Sequence, residues 1–161
     1  MSYEVGLRPL TVADAPTMAE VLADPSLYEF TGGEPPSADE LRRRYAVQVR
    51  GHSADGSQEW INLLIVHDPG GHPVGYVQAT IPRDDTPTEV AWVVGRRWQG
   101  RGCATRAARL LLDRLAQRGV RDVVAHIHPD HAASQAVARR LGMVATDVVV
   151  DGETRWAGRT R

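Results

Sequence analysis

The sequence of 161 residues predicts one α/β domain, spanning 1–161, with a mixed, mostly antiparallel sheet and about four helices. Short runs rich in β-branched residues recur along the chain and predict strands. Between several of them, apolar residues recur at three- and four-residue spacing, which predicts helices. Glycine- and proline-containing turns that are typical of hairpins join two pairs of strands.

The first third of the chain predicts an edge strand and two helices. Pro9 cannot donate to a strand ladder, which favours an edge position. Thr11 with Asp14 resembles a capping box, and Ser37 with Glu40 forms a second one. The predicted elements are a strand at 7–10, a helix at 11–23 and a helix at 37–50.

The rest of the chain predicts two hairpins around a strand–helix–strand–helix segment. Gly119 and Gly142 stand where a glycine ends a helix, and Asp130 is the predicted N-cap of the second of these helices. Asp151-Gly152 is typical of a type I′ turn. The predicted strands are 60–67, 74–81, 89–94, 120–128, 144–150 and 153–156, and the helices are 104–118 and 131–141.

The segment Gln99–Thr105 is a glycine-rich turn between the strand at 89–94 and the helix at 104–118. This succession points backbone N–H groups and the positive end of a helix dipole at one spot. An anion, most often a phosphate, binds well there.

The spacing of the glycines in this segment distinguishes between three kinds of phosphate-binding turn. A P-loop requires a lysine after its glycines, and the chain contains no lysine. A dinucleotide-binding turn starting at Gly100 requires a glycine where Thr105 stands. The pattern Q/R-x-x-G-x-G/A does fit, with Gln99, Gly102 and Ala104 at its fixed positions. A glycine-rich turn without a ligand is the alternative that this motif alone leaves open.

That pattern resembles the acetyl-CoA pyrophosphate loop of the GNAT superfamily of N-acyltransferases. A second segment, His131-Ala-Ala-Ser134 followed by Leu141-Gly142-Met143, is similar to the family's N-x-x-S/A…L-G-F/M. His131 stands where the family usually has asparagine, so the contact of that amide is not expected. The resemblance spans nearly the whole chain and is to the ribosomal-protein N-terminal acetyltransferase-like branch. It implies the GNAT fold.

The resemblance also implies acetyl-CoA as acyl donor, and no metal is expected. Backbone N–H groups around a bulge at Val93–Val94 should polarise the thioester and pair with the pantetheine arm. Arginines in the turn could neutralise phosphates through forked hydrogen bonds. The residues assigned to acetyl-CoA are Val93, Val94, Arg96, Arg97, Gln99, Gly100, Arg101, Gly102, Cys103, Ala104, Thr105 and His131.

Acetyl transfer to an amine requires a base, donors for an oxyanion and a proton for the departing thiolate. The resemblance implies Glu89 as the base, acting through a water, and a solvent-exposed strand-end glutamate is the alternative. Many relatives supply the proton from a tyrosine where this chain has Ala138. Ser134 is the predicted substitute, with a plain helix-surface serine as the alternative.

Charge is unevenly distributed along the chain. Residues 1–91 hold 14 acidic side chains and 6 arginines, whereas residues 92–121 hold 8 arginines and 1 acidic side chain. The resemblance implies that residues 23–50 wall the acceptor pocket, and a negative wall favours a cationic amine. Glu34 has no capping duty and is the predicted substrate contact, whereas Asp39 and Glu40 also serve a helix N-terminus.

Other classes of protein fit poorly. The apolar runs are too short to span a bilayer, and no signal peptide is recognisable. Cys103 is the single cysteine, which excludes a disulfide framework. His126 and His128 share one strand face, but spacing places no third metal ligand, so structural roles are favoured. The net charge of −1 does not favour nucleic acid.

The sequence thus predicts a cytoplasmic, acetyl-CoA-dependent N-acetyltransferase that acts by direct attack in a ternary complex. Its acceptor would be a primary amine, either a protein N-terminus or a small cationic amine. We expect no nucleic-acid or membrane partner, and a homodimer is left open. The alternatives are an aminoglycoside-type antibiotic N-acetyltransferase and a non-catalytic acyl-CoA-binding module.

Overall fold

The computed structural model describes residues 4–68 and 70–160, and its seven strands form one sheet. The strands are β1 (Glu4–Pro9), β2 (Gln58–Asp68), β3 (His72–Pro82), β4 (Thr88–Val94), β5 (Asp122–Ile127), β6 (Val144–Val150) and β7 (Glu153–Arg159). The helices are α1 (Ala15–Val21), α2 (Ala38–Gln48), α3 (Cys103–Gln117) and α4 (Ala132–Arg140). Three short 3₁₀ turns are Val12–Asp14, Pro25–Tyr28 and Arg96–Trp98.

The strand order is β1-β2-β3-β4-β5-β7-β6, and of the described pairs β4 with β5 alone is parallel. The predicted mixed, mostly antiparallel sheet with four helices is therefore confirmed. β1, which contains Pro9, lies at the edge as predicted. Among the described residues, no helix combines the length and apolarity that crossing a membrane requires.

Local hydrogen bonds explain where the helices begin. The Thr11 amide donates to the Asp14 carboxylate at 2.8 Å, and the Glu40 amide donates to Ser37 Oγ at 3.1 Å. The first predicted helix starts as a 3₁₀ turn and becomes α-helical at Ala15.

The N-cap predicted for α4 is wrong. His131 occupies the N-cap position, whereas the Asp130 amide donates to His128 Nδ1 at 3.0 Å within the preceding turn. That bond ties Asp130 to the end of β5, one residue too early to cap the helix. At the β6–β7 turn, Asp151 and Gly152 have φ of 50° and 81°, as a type I′ hairpin requires.

Apolar side chains cover both faces of the sheet. One core packs α3 and α4 against a face that includes Val77 and Val94. The other packs α1 and α2 against the opposite face, which includes Leu64, Tyr76 and Val93. Because side chains alternate along a strand, Glu89 lies on the α1–α2 face with Val93.

Candidate active site

The central parallel pair of strands separates along its length. Within the described residues, β4 pairs with β5 only at Thr88–Val123 and Glu89–Val124, although β4 continues to Val94 and β5 to Ile127. A gap therefore opens directly after Glu89. Backbone groups of β4 that face this gap have no ladder partner, so an extended ligand can pair with them.

The orientation of these groups follows from the β3–β4 ladder. The Gly95 amide donates to Val74 O at 2.8 Å, so Gly95 faces β3. Hydrogen-bonding direction alternates along an antiparallel strand, which turns the polar groups of Val94 toward the gap. The Val94 carbonyl there accepts a bond from Gln99 Nε2 at 3.0 Å. Gln99 thus fastens the glycine-rich turn to the end of β4.

The bulge expected at Val93–Val94 is absent from the β3–β4 register. Pairing runs without an inserted residue from Thr80–Glu89 to Gly75–Val94. The chain instead approaches closely at Gly75, where an added Cβ would lie 2.1 Å from Val93 O and 2.9 Å from Val94 Cα. Glycine at position 75 therefore permits this arrangement of the Val93 carbonyl without an extra residue in β4.

The turn after β4 ends at an uncapped helix N-terminus. Gly102 is the N-cap of α3, with φ of 79°, and has no side chain to bind the first helical amides. The amides of Cys103, Ala104 and Thr105 consequently lack intrahelical acceptors. Thr105 Oγ1 is buried and has no hydrogen-bond partner in the part of the chain that the structure describes. Uncapped amides and a spare hydroxyl suit a phosphate.

The arginines around this turn occupy different places. Arg96 Nη1 donates to Ser26 Oγ at 3.3 Å, and the Arg97 guanidinium lies 5.3 Å from the Trp98 ring centroid. Both arginines line a groove beside the end of α1, which also includes Glu20 and Asp24. Arg101 and Gly100 are exposed within the turn itself. The assignment of these residues to acetyl-CoA stays a prediction.

Cys103 is buried at the start of α3, 2% exposed. Burial raises the pKa of its thiol, an effect that the charges of Arg106 and Arg101 oppose. The neutral thiol is therefore the form favoured at this position, and it packs as a small apolar side chain.

Glu89 has a neighbour that the sequence analysis did not pair with it. His126 Nδ1 lies 3.5 Å from Glu89 Oε1, and His126 Nε2 accepts a hydrogen bond from Arg155 Nε at 3.1 Å. The imidazole is 13% exposed and the carboxylate 55%. A half-exposed carboxylate beside a nearly buried, oriented ring can exchange protons with water while its direction is restrained.

His131 is the N-cap of α4, and Ser134 lies in the first turn of that helix. The His131 ring stacks on Phe30 with centroids 4.6 Å apart, and His128 lies 5.1 Å from the same ring. Burial lowers the pKa of His131, as does the charge of His128, whereas Glu29 raises it. These contacts hold the loop after α1 against the start of α4. Ser134 is half-buried.

A pocket opens on the α1–α2 face, between those helices and strands β2 and β3. It is open to solvent and has a volume of about 90 Å³. Its polar lining groups are Tyr28, Arg44, Tyr45, Gln48, Asn62, Tyr76 and Gln78. Glu34, the predicted substrate contact, is exposed in the loop before α2 and lines neither this pocket nor the groove beside α1. Its role stays a prediction.

Family comparison agrees with this geometry. The sequence model described as "Acetyltransferase (GNAT) domain" matches residues 4–144. The chain belongs to the GNAT acetyltransferase family. A comparison with curated proteins finds no match. The predicted GNAT resemblance is confirmed.

Several solved structures share the fold of nearly the whole chain. RimJ from Mycobacterium smegmatis, in complex with CoA-disulfide, superposes with a TM-score of 0.80 at 21% identity, covering 96% of this chain and 81% of that one. An acetyltransferase from Thermus thermophilus gives 0.75 at 22% identity, with 99% and 97% covered. An aminoglycoside acetyltransferase in complex with coenzyme A gives 0.77 at 17% identity, with 97% and 95% covered.

The predicted GNAT residues thus fall into three places. The residues of the predicted pyrophosphate loop lie at and before the start of α3, Glu89 lies where β4 and β5 part, and Ser134 lies in the first turn of α4. Sequence reasoning missed the partnership of Glu89 with His126, because the register of a parallel pair is not readable from the chain. In the described residues, no cluster of three histidine, cysteine or acidic side chains is placed to hold a metal.

Proposed function

We propose that this GNAT protein transfers the acetyl group of acetyl-CoA to a primary amine by direct attack in a ternary complex. The observation that carries the proposal is the gap between β4 and β5. It begins at a carboxylate, Glu89, and leads to the uncapped amides of α3. A pantetheine arm along β4 would join a phosphate-binding end to a carboxylate at the acyl end.

Each step of the reaction has a group to serve it. Glu89 accepts the proton of the attacking ammonium through a water, and the amine nitrogen then bonds to the thioester carbon. The backbone N–H of Val94, which faces the gap, donates to the oxyanion. The carbon–sulfur bond breaks as the Ser134 hydroxyl gives its proton to the thiolate, and the proton that the nitrogen loses on forming the amide restores the hydroxyl through water. Proton transfer by a positioned group contributes about 10²–10⁴-fold to such a rate.

The acceptor is a protein N-terminus or a small cationic amine. Similarity to RimL, described as a ribosomal L7/L12 alpha-N-protein acetyltransferase, supports the first class, and similarity to an aminoglycoside acetyltransferase supports an antibiotic amine as the second. Glu89, Glu29 and the acidic N-terminal half would draw an ammonium ion. The reaction is proposed for the cytoplasm, with acetyl-CoA and the amine as substrates.

Thiol release from acetyl-CoA, measured against a panel of amines, tests the proposal. We expect steady release with at least one amine class and binding of CoA at micromolar concentration in calorimetry. CoA binding without release, across peptides, polyamines and aminoglycosides, would instead identify a non-catalytic acyl-CoA-binding module. If neither CoA binding nor thiol release is observed, the gap between β4 and β5 and the glycine-rich turn are not the acetyl-CoA site.

A further inference from the structure

The pocket between α1, α2, β2 and β3 differs in charge from the acidic segments around it. Among its described lining residues none is a carboxylate, whereas Arg44 brings a positive charge. Tyr28, Tyr45 and Tyr76 contribute three phenols, and Gln48 and Gln78 contribute amides. With Asn62, the lining therefore combines phenols and amides, each of which can donate a hydrogen bond, with a single cation.

The charge of one guanidinium acts on all three phenols. Burial raises the pKa of Tyr28, Tyr45 and Tyr76, and the charge of Arg44 acts on all three in the opposite direction. Each phenol is therefore neutral near pH 7 and able to donate. The Tyr28 hydroxyl donates to Leu22 O at 2.9 Å, whereas no described residue bonds to the hydroxyls of Tyr45 and Tyr76. Two donors remain available for a ligand.

Neighbouring acidic groups leave the positive charge of Arg44 largely uncompensated. Glu40 Oε2 lies 4.0 Å from Arg44 Nη2, with side chains 49% and 59% exposed, and such an exposed pair is weak. The charge of Asp14 also acts on Tyr45, but Asp14 forms an ion pair with Arg8, whose Nη2 lies 2.7 Å from Asp14 Oδ1. An incoming anion would therefore compete with a weak partner.

The register places this pocket beside the reaction centre. Tyr76 pairs with Val93, and Gln78 pairs with Ala91, on the face that also carries Glu89. The pocket thus lies one strand spacing, about 4.8 Å, from β4. The thioester proposed to lie at Val94 is next to Val93, the partner of Tyr76, so an amine that attacks this thioester has the pocket beside it.

We propose that the acceptor carries a carboxylate within a few bonds of its amine, and that Arg44, Tyr45 and Tyr76 bind this carboxylate. The inference rests on the proposed acetyl transfer and adds the class of acceptor, an amino acid or a peptide with an acidic N-terminal residue. The ammonium is held near Glu89 and the carboxylate near Arg44, so a zwitterion satisfies both ends of the site. A small pocket and a forked guanidinium suit a carboxylate.

Binding of three dipeptide amides, Asp-Ala, Asn-Ala and Lys-Ala, to the CoA-saturated protein tests this. Calorimetry measures their affinities without any need for turnover, and the amidated C-terminus leaves one side-chain group as the variable. We expect Asp-Ala to bind at least about ten-fold more tightly than Lys-Ala, because only the Asp side chain can accept charge-assisted hydrogen bonds from Arg44. L-alanine against L-alaninamide shows whether a free α-carboxylate serves equally well.

Variants of α2 assign the effect to one side chain. Arg44→Met should weaken Asp-Ala about ten-fold and leave Lys-Ala and CoA unchanged, and Arg44→Lys should restore part of the loss. Arg43→Met is the matched control, because Arg43 is exposed on the same helix and does not line the pocket. The proposal is overturned if Arg43→Met and Arg44→Met weaken Asp-Ala equally. It is also overturned if Lys-Ala binds more tightly than Asp-Ala, or if no probe binds. Loss of CoA binding or of thiol release would instead count against acetyl transfer itself.

Discussion

His126 Nδ1 lies 3.5 Å from Glu89 Oε1, across the only parallel pair of strands in the described sheet. Arg155 Nε donates to the other ring nitrogen at 3.1 Å. An accepting Nε2 places the proton of the neutral imidazole on Nδ1, the nitrogen that faces Glu89. β7 therefore orients the ring, and the ring orients the carboxylate at the point where the gap opens.

Replacement of this carboxylate tests its role as the base. Glu89→Gln should lower kcat by about 10²–10³-fold and abolish the fall in rate at acidic pH. Affinity for acetyl-CoA should change little, because the uncapped amides of α3 are untouched. Glu4→Gln, an exposed strand glutamate in β1, is the control in the same pH–rate series. A wild-type profile for Glu89→Gln would leave bulk water as the base.

His126 is predicted to act through Glu89. His126→Phe should lower kcat about ten-fold, less than the loss of the carboxylate itself, with KM for acetyl-CoA unchanged. His126→Gln, whose amide can still donate to Glu89, should retain more activity. In the Glu89→Gln background, His126→Phe should cost little more, because coupled residues are not additive. Full additivity of the two losses would show that His126 has a separate function.

Close approach at Gly75 predicts a coupled loss of stability and binding. A methyl at this position meets the Val93 carbonyl at 2.1 Å, so β4 must move. Gly75→Ala should destabilise the fold by about 1–3 kcal/mol and weaken acetyl-CoA binding at least about ten-fold. Gly6→Ala is the control, since its methyl would lie 3.6 Å from Val66 Cγ2, an ordinary contact. Thermal unfolding and calorimetry measure the two effects, and equal behaviour of the variants would contradict the role given to Gly75.

Local signals were sufficient to predict most of the fold. Caps at Thr11 and Ser37, the helix-ending Gly119 and the Asp151-Gly152 turn act within a few residues, so the chain shows them directly. The α4 N-cap was misplaced because an imidazole–amide bond, from Asp130 to His128, preceded the helix. Such a bond depends on how β5 ends, which no local pattern indicates.

The part of the site that a single segment forms could be predicted from the sequence. The parts that several segments form together could not. Gly102 and the first turn of α3 are contiguous, so the anion-binding end was readable from the sequence. The Glu89–His126–Arg155 chain joins three strands, and the pocket of Arg44 joins two helices to two strands. The side chains of each set come together only through sheet register and helix packing, and neither can be predicted from local sequence patterns.

Ser134 should act on departure of the thiolate. Ser134→Ala is expected to lower kcat about ten-fold, because the leaving sulfur then takes its proton from solvent. The loss should shrink with an acetyl donor whose thiol is more acidic, since that thiolate needs less help. Ser57→Ala, on a loop before β2, serves as control. A loss that is the same for both donors would assign Ser134 to the helix surface instead.

Gly102 should be required for acetyl-CoA while contributing little else. Its φ of 79° strains any side chain, and a Val there would stand at the N-cap of α3, beside the amides proposed to bind phosphate and 3.8 Å from Arg106 Nη2. Gly102→Val should therefore lose acetyl-CoA binding. Gly119→Val is the matched control, because φ is 87° at the far end of α3 and nothing lies within 4 Å of its added Cβ. Each variant should lose about 1–2 kcal/mol of stability from backbone strain, so binding is compared by calorimetry at a temperature where both remain folded. Retained affinity in Gly102→Val would place the phosphate site elsewhere, whereas equal loss in Gly119→Val would trace the effect to strain in α3.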